Sequence, residues 1–222
     1  MKVILFGATG MVGQSALREC LLDSDVESVL SIGRRPSGVS NAKLREIVHR
    51  DFTDFSALEK DVAGFDACFF CLGVSSAGMS EKNYRHVTQD VTLAAARTLL
   101  KASPKMTFIY VTGSGTDSTE RGRSMWARVK GETENALLAM GFGGAYMFRP
   151  GYIQPLHGVT PSAKMTRAMY AAIGPLYPVW KTLFPKYVTT SERVGRAMLH
   201  VAKNGFSKRV LENADIDELG RG

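Results

Sequence analysis

The chain has 222 residues, 45% of them hydrophobic, which suits one compact domain with a substantial core. No apolar run approaches the roughly 20 residues that cross a bilayer, and the first residues lack the apolar core of a signal peptide. We therefore expect a cytoplasmic protein with no membrane partner.

The formal net charge is +7, which is compatible with nucleic acid binding or with a site for a phosphorylated ligand. The basic residues are scattered, without a long run and without interleaved aromatic residues. This distribution favours the phosphorylated ligand, and we expect no nucleic acid partner.

Cysteine and histidine usage indicates neither a disulfide framework nor a metal site. The chain has 3 cysteines and 4 histidines, and the histidines show no metal-ligand spacing. Cys68 and Cys71 lie three residues apart in a predicted strand, so they point to opposite faces and are expected to be buried structural residues.

Apolar runs that alternate with helix-period segments predict the order of elements. The predicted strands cover residues 2–6, 27–32, 45–50, 66–70, 106–112 and 145–148. The first predicted helix follows the first strand and ends at residue 22, and the later helices cover 55–61, 80–102 and 124–140. This alternation predicts an α/β fold with a Rossmann-like, doubly wound parallel sheet. The inner face of the helix at 80–102 is expected to contain Val87, Val91, Ala94, Ala95 and Leu99.

A glycine-rich turn joins the first predicted strand to the first helix. Gly7 permits a sharp reversal, Gly10 permits close approach of a ligand, and Gly13 permits tight packing of helix on strand. The N–H groups at the helix start suit a pyrophosphate, with Thr9 and Met11 as backbone contacts. The alternative is a glycine turn that binds nothing.

Two arginines follow the second strand, where proteins that bind NAD usually carry an acidic residue. Arg34 and Arg35 offer planar donor groups that suit a 2′-phosphate, so the cofactor is predicted to be NADP rather than NAD. The alternative is that both are solvated loop charges.

Three further strand ends carry candidate site residues. Asp51 and Phe52 are predicted to meet the adenine, although Asp51 could instead cap a helix, a role that suits Asp54 better. Leu72 and Gly73 are predicted to approach the middle of the cofactor. Ser114 is predicted to orient a substrate carbonyl near the nicotinamide, the alternative being a plain turn residue.

The sequence resembles the short-chain dehydrogenase/reductase superfamily in its atypical and extended branch, close to small epimerase-like or NmrA-like NAD(P)-binding proteins. The resemblance covers roughly the first two-thirds of the chain and rests on Gly7-Ala-Thr-Gly-Met-Val-Gly13, Arg34-Arg35, Asp51, Val111-Thr-Gly-Ser114, Lys130-Gly-Glu-Thr-Glu134 and Arg149-Pro-Gly151.

Catalytic members of that superfamily use a Tyr-x-x-x-Lys pair, one helical turn apart. This chain has Trp126-Ala-Arg-Val-Lys130, so Lys130 can hold the nicotinamide ribose but Trp126 cannot exchange a proton. The proton could come from water, Ser114 or Tyr152. Alternatively, Trp126 could stack on a ring, or the site could bind cofactor without chemistry.

The remaining motifs are expected to serve the surface and the substrate. Glu132 and Glu134 are expected to be surface charges. His157 could lie in the cleft. The aromatic segment 174–184 is expected to line a pocket for a flat apolar substrate or to contact a second copy of the chain.

Residues 1–149 are predicted to form a dinucleotide-binding core, and 150–222 a small C-terminal substrate cap in the same compact unit, with helices near 163–172 and 191–203 and a strand near 209–211. The expected function is an NADP-dependent oxidoreductase acting on a small organic carbonyl or ring compound. A non-catalytic NADP-sensing regulator is the main alternative, and a sugar-nucleotide epimerase is a weaker one.

Overall fold

The computed structural model of the protein describes residues 1–160 and 177–221. The strands in these residues are β1 (Lys2–Phe6), β2 (Ser28–Gly33), β3 (Leu44–Val48), β4 (Ala67–Phe70), β5 (Thr107–Val111), β6 (Gly144–Arg149), β7 (Tyr152–Gln154), β8 (Val188–Thr190) and β9 (Val210–Glu212). The α-helices are α1 (Met11–Leu22), α2 (Glu81–Arg85), α3 (Val91–Ala102), α4 (Met125–Ala139), α5 (Tyr177–Leu183), α6 (Ser191–Asn204) and α7 (Asn213–Leu219).

Seven parallel strands form the main sheet in the order β3-β2-β1-β4-β5-β6-β9, which confirms the predicted Rossmann-like fold. Alternate residues of β1 enter two separate cores: Val3 and Leu5 pack beneath α1 and α6, whereas Ile4 and Phe6 pack beneath α3. The sheet is therefore buried on both faces, as its continuous apolar strands require.

The strand order reverses at β1, which pairs with β2 on one side and β4 on the other. Phe6 is in register with Ile32 of β2 and Phe70 of β4, so the loops after these three strands begin at the same level. Ligands of open α/β sheets bind in the crevice at such a reversal.

Residues after 149 contribute a strand and a helix to the core itself. The strand predicted near 209–211 is β9, which pairs in parallel with β6 at the edge of the main sheet. Helix α6 packs closely on α1 at Gly195, where an added Cβ would lie only 3.0 Å from the Ser15 carbonyl oxygen. Strands β7 and β8 form a separate parallel pair, and the predicted helix at 163–172 lies outside the described residues.

The predicted helix at 80–102 is interrupted by a π-helical turn, His86–Asp90. Tyr84 and Thr88 are buried, and they share one helical face with the buried Thr92, whereas Val87 is 38% exposed. The prediction that Val87 lies on the inner face is therefore wrong, whereas Ala95 and Leu99 are buried as expected.

Cys68 and Cys71 belong to opposite cores, which confirms the interpretation from strand periodicity. Burial raises the pKa of both thiols and of Cys20. In residues 1–160 and 177–221, no helix is both long enough and apolar enough to cross a membrane.

If α6 is part of the core, truncating its buried side chain should destabilise the whole protein. Met198 is fully buried, so we expect Met198→Ala to lower the free energy of unfolding by about 2–5 kcal/mol. The matched control is Leu22→Ala, at a leucine that is 64% exposed, with a change within about 0.5 kcal/mol. Urea unfolding measures both values, and a C-terminal part that unfolded separately would contradict the prediction.

Candidate active site

The turn between β1 and α1 depends on three glycines. Gly7 has a φ of +83°, and a Cβ added there would lie 2.7 Å from the Cys71 carbonyl oxygen in the loop after β4. A Cβ on Gly13 would lie only 2.0 Å from the Gly7 carbonyl oxygen. The Gly10 N–H closes the turn by donating to that same carbonyl over 2.9 Å.

Helix α1 begins with features that suit an anion. Gly10 precedes its first residue without a capping side chain, and its first turn contains no acidic residue. The N–H groups of the first turn have no partner four residues back, and they carry the positive end of the helix dipole. This end of α1 can therefore bind a phosphate group.

A cleft of about 480 Å³ lies at the carboxyl ends of β1, β2 and β4. The residues that line it are Gly7, Ala8, Thr9, Ser31, Gly33, Arg34, Arg35, Phe52 and Leu72. The structure thus brings together six of the residues predicted to bind the cofactor. Asp51 and Gly73 flank two of the lining residues in sequence.

Arg34 and Arg35 are both exposed at the end of β2. Within the described parts of the chain, neither guanidinium is engaged by a carboxylate. Their charge is therefore available to an anionic ligand in the cleft.

Asp51 and Asp54 organise the loop after β3. The Asp51 carboxylate accepts hydrogen bonds from the Thr53 hydroxyl at 2.5 Å and the Thr53 N–H at 2.9 Å, and these bonds lower its pKa. Asp54 accepts a hydrogen bond from the N–H of Ser56, the first residue of a short 3₁₀ turn, at 2.8 Å. The N-cap position of this turn is Phe55, without a capping side-chain hydrogen bond, so the expected capping role of Asp54 is wrong. The contact of Asp51 with adenine stays a prediction.

A larger cleft, of about 920 Å³, adjoins the first one at Thr9 and Arg35. It is lined in part by Gln14, whose side-chain amide donates to the carbonyl oxygens of Thr9 at 3.0 Å and Thr160 at 3.1 Å. No sequence pattern predicts these two hydrogen bonds, because a single glutamine in an amphipathic helix carries no signal. His157 lines the same cleft, with Nε2 3.2 Å from a carboxylate oxygen of Glu192.

Three of the four predicted catalytic residues lie around the loop after β5. Ser114 is exposed, and its N–H donates to the Pro150 carbonyl oxygen at 2.9 Å. The Trp126 ring packs near Gly115, where an added Cβ would lie 3.4 Å from the ring edge. Lys130, one turn further along α4, donates from Nζ to the Thr112 carbonyl oxygen.

Lys130 has an unusual ionisation for a lysine. Burial lowers the pKa of its ammonium group to about 8, and the negative charge of Glu134 opposes that shift only in part. The side chain therefore stays charged at neutral pH and loses its proton as the pH rises through about 8, and shifted pKa values of this kind are common at active sites.

A buried ion pair supports this loop from beneath. Glu134 is fully buried, and both its carboxylate oxygens accept hydrogen bonds from Arg149 Nε, at 3.1 and 3.2 Å. The Thr112 hydroxyl donates to the same carboxylate at 2.6 Å. The prediction that Glu134 is a surface charge is therefore wrong, because it serves as the counter-charge of Arg149, whereas Glu132 pairs with Arg85.

Tyr152, the fourth predicted catalytic residue, faces a different cleft. Its phenol donates to the side-chain oxygen of Gln154 at 3.0 Å. Its ring lines an apolar cleft of about 370 Å³ with Trp180, Phe184, Tyr187 and Val188.

Comparison with known proteins identifies the family. A profile described as NAD(P)H-binding matches residues 7–140, which is more than half of the chain. The protein belongs to this NAD(P)H-binding family. The match begins at Gly7 and contains every cofactor-binding residue predicted from the sequence.

Relatives of this NAD(P)H-binding protein span nearly its whole length. It is 26% identical to "Protein fmp52, mitochondrial" of Emericella nidulans, over 94% of this chain and 90% of that protein. It is 28% identical to "Protein HTATIP2" of Rattus norvegicus, over 99% of this chain and 89% of that protein. Its fold matches that of a short chain dehydrogenase/reductase from Saccharomyces cerevisiae, with a TM-score of 0.63, 14% identity and 98% of each chain covered.

The profile match confirms the predicted NAD(P)-binding resemblance, and the structural match shows that the chain shares the fold of a short chain dehydrogenase/reductase. They also correct one prediction. Several relatives are named mitochondrial, which overturns the expectation of a cytoplasmic location.

Two glycine variants separate the fold of the turn from its ligand. Gly13→Ala would force a methyl group to 2.0 Å from a backbone oxygen, so we expect loss of both thermal stability and NADPH binding. Gly10→Ala would place its methyl group 3.4 Å from the nearest backbone oxygen, so we expect an unchanged melting temperature but NADPH affinity weakened by about tenfold or more. Full NADPH affinity in both variants would contradict the assignment.

Removing the charge of Glu134 should destabilise the protein strongly. Glu134→Gln removes the buried counter-charge of the Arg149 guanidinium and leaves it only the more exposed Glu212, for an expected loss of about 3–5 kcal/mol in the free energy of unfolding. Glu132→Gln removes a partly exposed carboxylate from the same helix and should cost about 1 kcal/mol or less. Chemical denaturation measures both, and equal losses would contradict a buried structural role for Glu134.

Proposed function

We propose that the protein binds NADP(H) and uses it to reduce a small organic carbonyl or ring compound. The observation that carries this proposal is the cleft at the reversal of strand order, where the glycine turn, Phe52, Leu72 and two exposed arginines meet. The cleft thus combines a helix N-terminus that can bind a pyrophosphate with two arginine side chains after β2 that can bind a further phosphate.

Each part of NADP(H) has a matching group in this chain. The pyrophosphate would lie on the N–H groups at the start of α1, with the 2′-phosphate on Arg34 and Arg35. The adenine would lie against Phe52 and accept Asp51 as a partner. When bound, the cofactor supplies hydride chemistry at its nicotinamide ring.

The nicotinamide end would lie on the loop after β5. Lys130 reaches this loop from α4, and Ser114 is exposed on it, so both can meet the ribose or the substrate oxygen. Gly73 in the loop after β4 would leave room for the centre of the cofactor. A Cβ added at Gly73 would meet no atom within 4 Å.

The aromatic cleft next to Tyr152 favours a flat, apolar substrate. Tyr152 follows Pro150 by two residues, and the Pro150 carbonyl accepts a hydrogen bond from the Ser114 N–H at 2.9 Å. The cleft therefore begins a short distance along the chain from the proposed reaction centre. Its large exposed rings suit a quinone, a flavin or a fused-ring ligand.

Trp126 favours a second candidate, a regulator that senses NADP(H) without turnover. The indole replaces the tyrosine that catalytic members of the superfamily use, and it carries one non-ionising N–H donor. A sugar-nucleotide epimerase is less well supported because that chemistry depends on the replaced tyrosine. Self-association of the chain stays a prediction.

The two arginines should determine which cofactor is preferred. We expect the double variant Arg34→Ala/Arg35→Ala to lose about 10- to 100-fold in NADPH affinity, because it removes charged hydrogen bonds to the 2′-phosphate. Its NADH affinity should stay close to that of the wild type. Fluorescence titration with both nucleotides measures this, and Arg97→Ala, at an exposed arginine of α3, is the matched control.

A wild-type preference for NADH, or an equal effect of the double variant on both nucleotides, would contradict the NADP assignment. Oxidation of NADPH with a panel of quinones, flavins and aldehydes then separates the two candidate functions. Turnover supports the oxidoreductase, whereas tight NADPH binding without turnover on any member of the panel supports the regulator.

A further inference from the structure

The reduction of a carbonyl needs a proton as well as a hydride. When hydride adds to the carbonyl carbon, negative charge develops on the oxygen, and a group with an accessible proton lowers that barrier. Trp126 stands where the superfamily's tyrosine would be and cannot supply the proton. Another group of this chain must therefore donate it, or water must.

Ser114 and Tyr152 are poorly suited to this task. The Ser114 hydroxyl is a weak acid on an exposed turn, and no base is hydrogen-bonded to it in the described residues. The Tyr152 phenol donates to Gln154 over 3.0 Å, and its ring lines the separate aromatic cleft. Burial also raises the pKa of this phenol, which makes it a weaker acid.

Lys130 is better placed. It lies one helical turn after Trp126 on α4, and its Nζ donates to the Thr112 carbonyl oxygen at the beginning of the loop that carries Ser114. An ammonium group has three protons, so two stay available after this bond is made. The amine thus lies at the loop after β5, where the nicotinamide end of the cofactor is proposed to bind.

The groups around Lys130 hold it in this position. The Thr112 hydroxyl donates to Glu134 at 2.6 Å, and Glu134 is bound in turn by Arg149 from β6. Glu134, on the same helix, is the charged group that favours the ammonium form, and its negative charge also acts on the buried phenol of Tyr110 on β5, whose pKa burial raises. Thr112, whose carbonyl oxygen accepts the hydrogen bond from Lys130, is therefore held through both its backbone and its side chain.

We propose that Lys130 is itself the proton donor of this site, an inference that rests on the oxidoreductase function proposed above. The carbonyl carbon accepts hydride from bound NADPH, and the π electrons of the C=O bond move to oxygen. That oxygen takes a proton from Lys130 Nζ, which becomes a neutral amine. The products are an alcohol and NADP⁺, and the amine then regains a proton from solvent.

The ionisation of Lys130 supports this role. Its pKa of about 8 keeps it charged at neutral pH while making it a far stronger acid than an ordinary lysine. The acid is present below this pKa and is lost as the pH rises through it. The turnover rate should therefore be constant near pH 7 and fall above about pH 8.

The experiment compares Lys130→Met and Lys130→Arg with the wild type at saturating NADPH. We expect Lys130→Met to lower kcat on aldehydes by about 10²- to 10⁴-fold and to abolish the fall in rate at high pH. Lys130→Arg keeps a positive charge that can bind the ribose but is too weak an acid to donate, so NADPH affinity should persist while kcat falls. Lys101→Met, at a lysine with a 70% exposed side chain, is the control.

The choice of substrate separates proton donation from cofactor binding. Reduction of an aldehyde creates a strongly basic alkoxide, whereas reduction of a quinone creates a much weaker base that needs little help from an acid. We therefore expect both Lys130 variants to lose far more kcat on aldehydes than on quinones. Melting curves confirm that the variants are folded.

Equal losses on aldehydes and quinones, or a Lys130→Met variant that keeps the wild-type kcat and pH profile, would overturn the proton donor assignment and leave the oxidoreductase function intact. A wild-type protein that binds NADPH but reduces no member of the panel would overturn the oxidoreductase function, and this inference with it.

Discussion

The approach of α1 to the end of β1 is the constraint on which the site depends. The distance from a Cβ at Gly13 to the Gly7 carbonyl oxygen would be 2.0 Å, so only hydrogen fits between helix and turn. A Cβ at Gly7 would lie as close as 2.7 Å to the loop after β4. Together these approaches place the positive end of α1 at the reversal of strand order, where an anionic ligand can reach it.

A second constraint acts on the loop after β5. The Arg149–Glu134 pair joins β6 to α4, and the Thr112 hydroxyl joins both to the loop after β5. A buried pair of this kind contributes little net stability, but it gives the loop a defined position. The placement of Lys130 on the Thr112 carbonyl therefore follows from a network that lies outside the cleft itself.

Much of the fold could be predicted from the sequence because local signals agreed. The strand before Gly7 is continuously apolar, α1 has a helical period, and the glycines fix the turn between them. The six cofactor residues that line one cleft follow β1, β2, β3 and β4, so the prediction of one parallel sheet was enough to place them at the same sheet edge.

The errors have physical causes that a local pattern cannot reveal. Val87 is expected on the inner face because the interpretation follows the aliphatic residues, whereas the buried face of this segment begins with Tyr84, Thr88 and Thr92. Glu134 was assigned to the surface because its partner, Arg149, is distant in sequence and becomes a neighbour only through the packing of α4 on β6. The hydrogen bonds of Gln14 to Thr9 and Thr160 likewise form only in the folded protein, so no residue spacing in the sequence predicts them.

The most direct measurement is an experimental structure of the protein with NADPH. Electron density for the pyrophosphate should lie on the N–H groups at the start of α1, and density for the 2′-phosphate should lie between Arg34 and Arg35. Density for the nucleotide elsewhere, or an empty glycine turn at saturating NADPH, would contradict the assignment of this cleft.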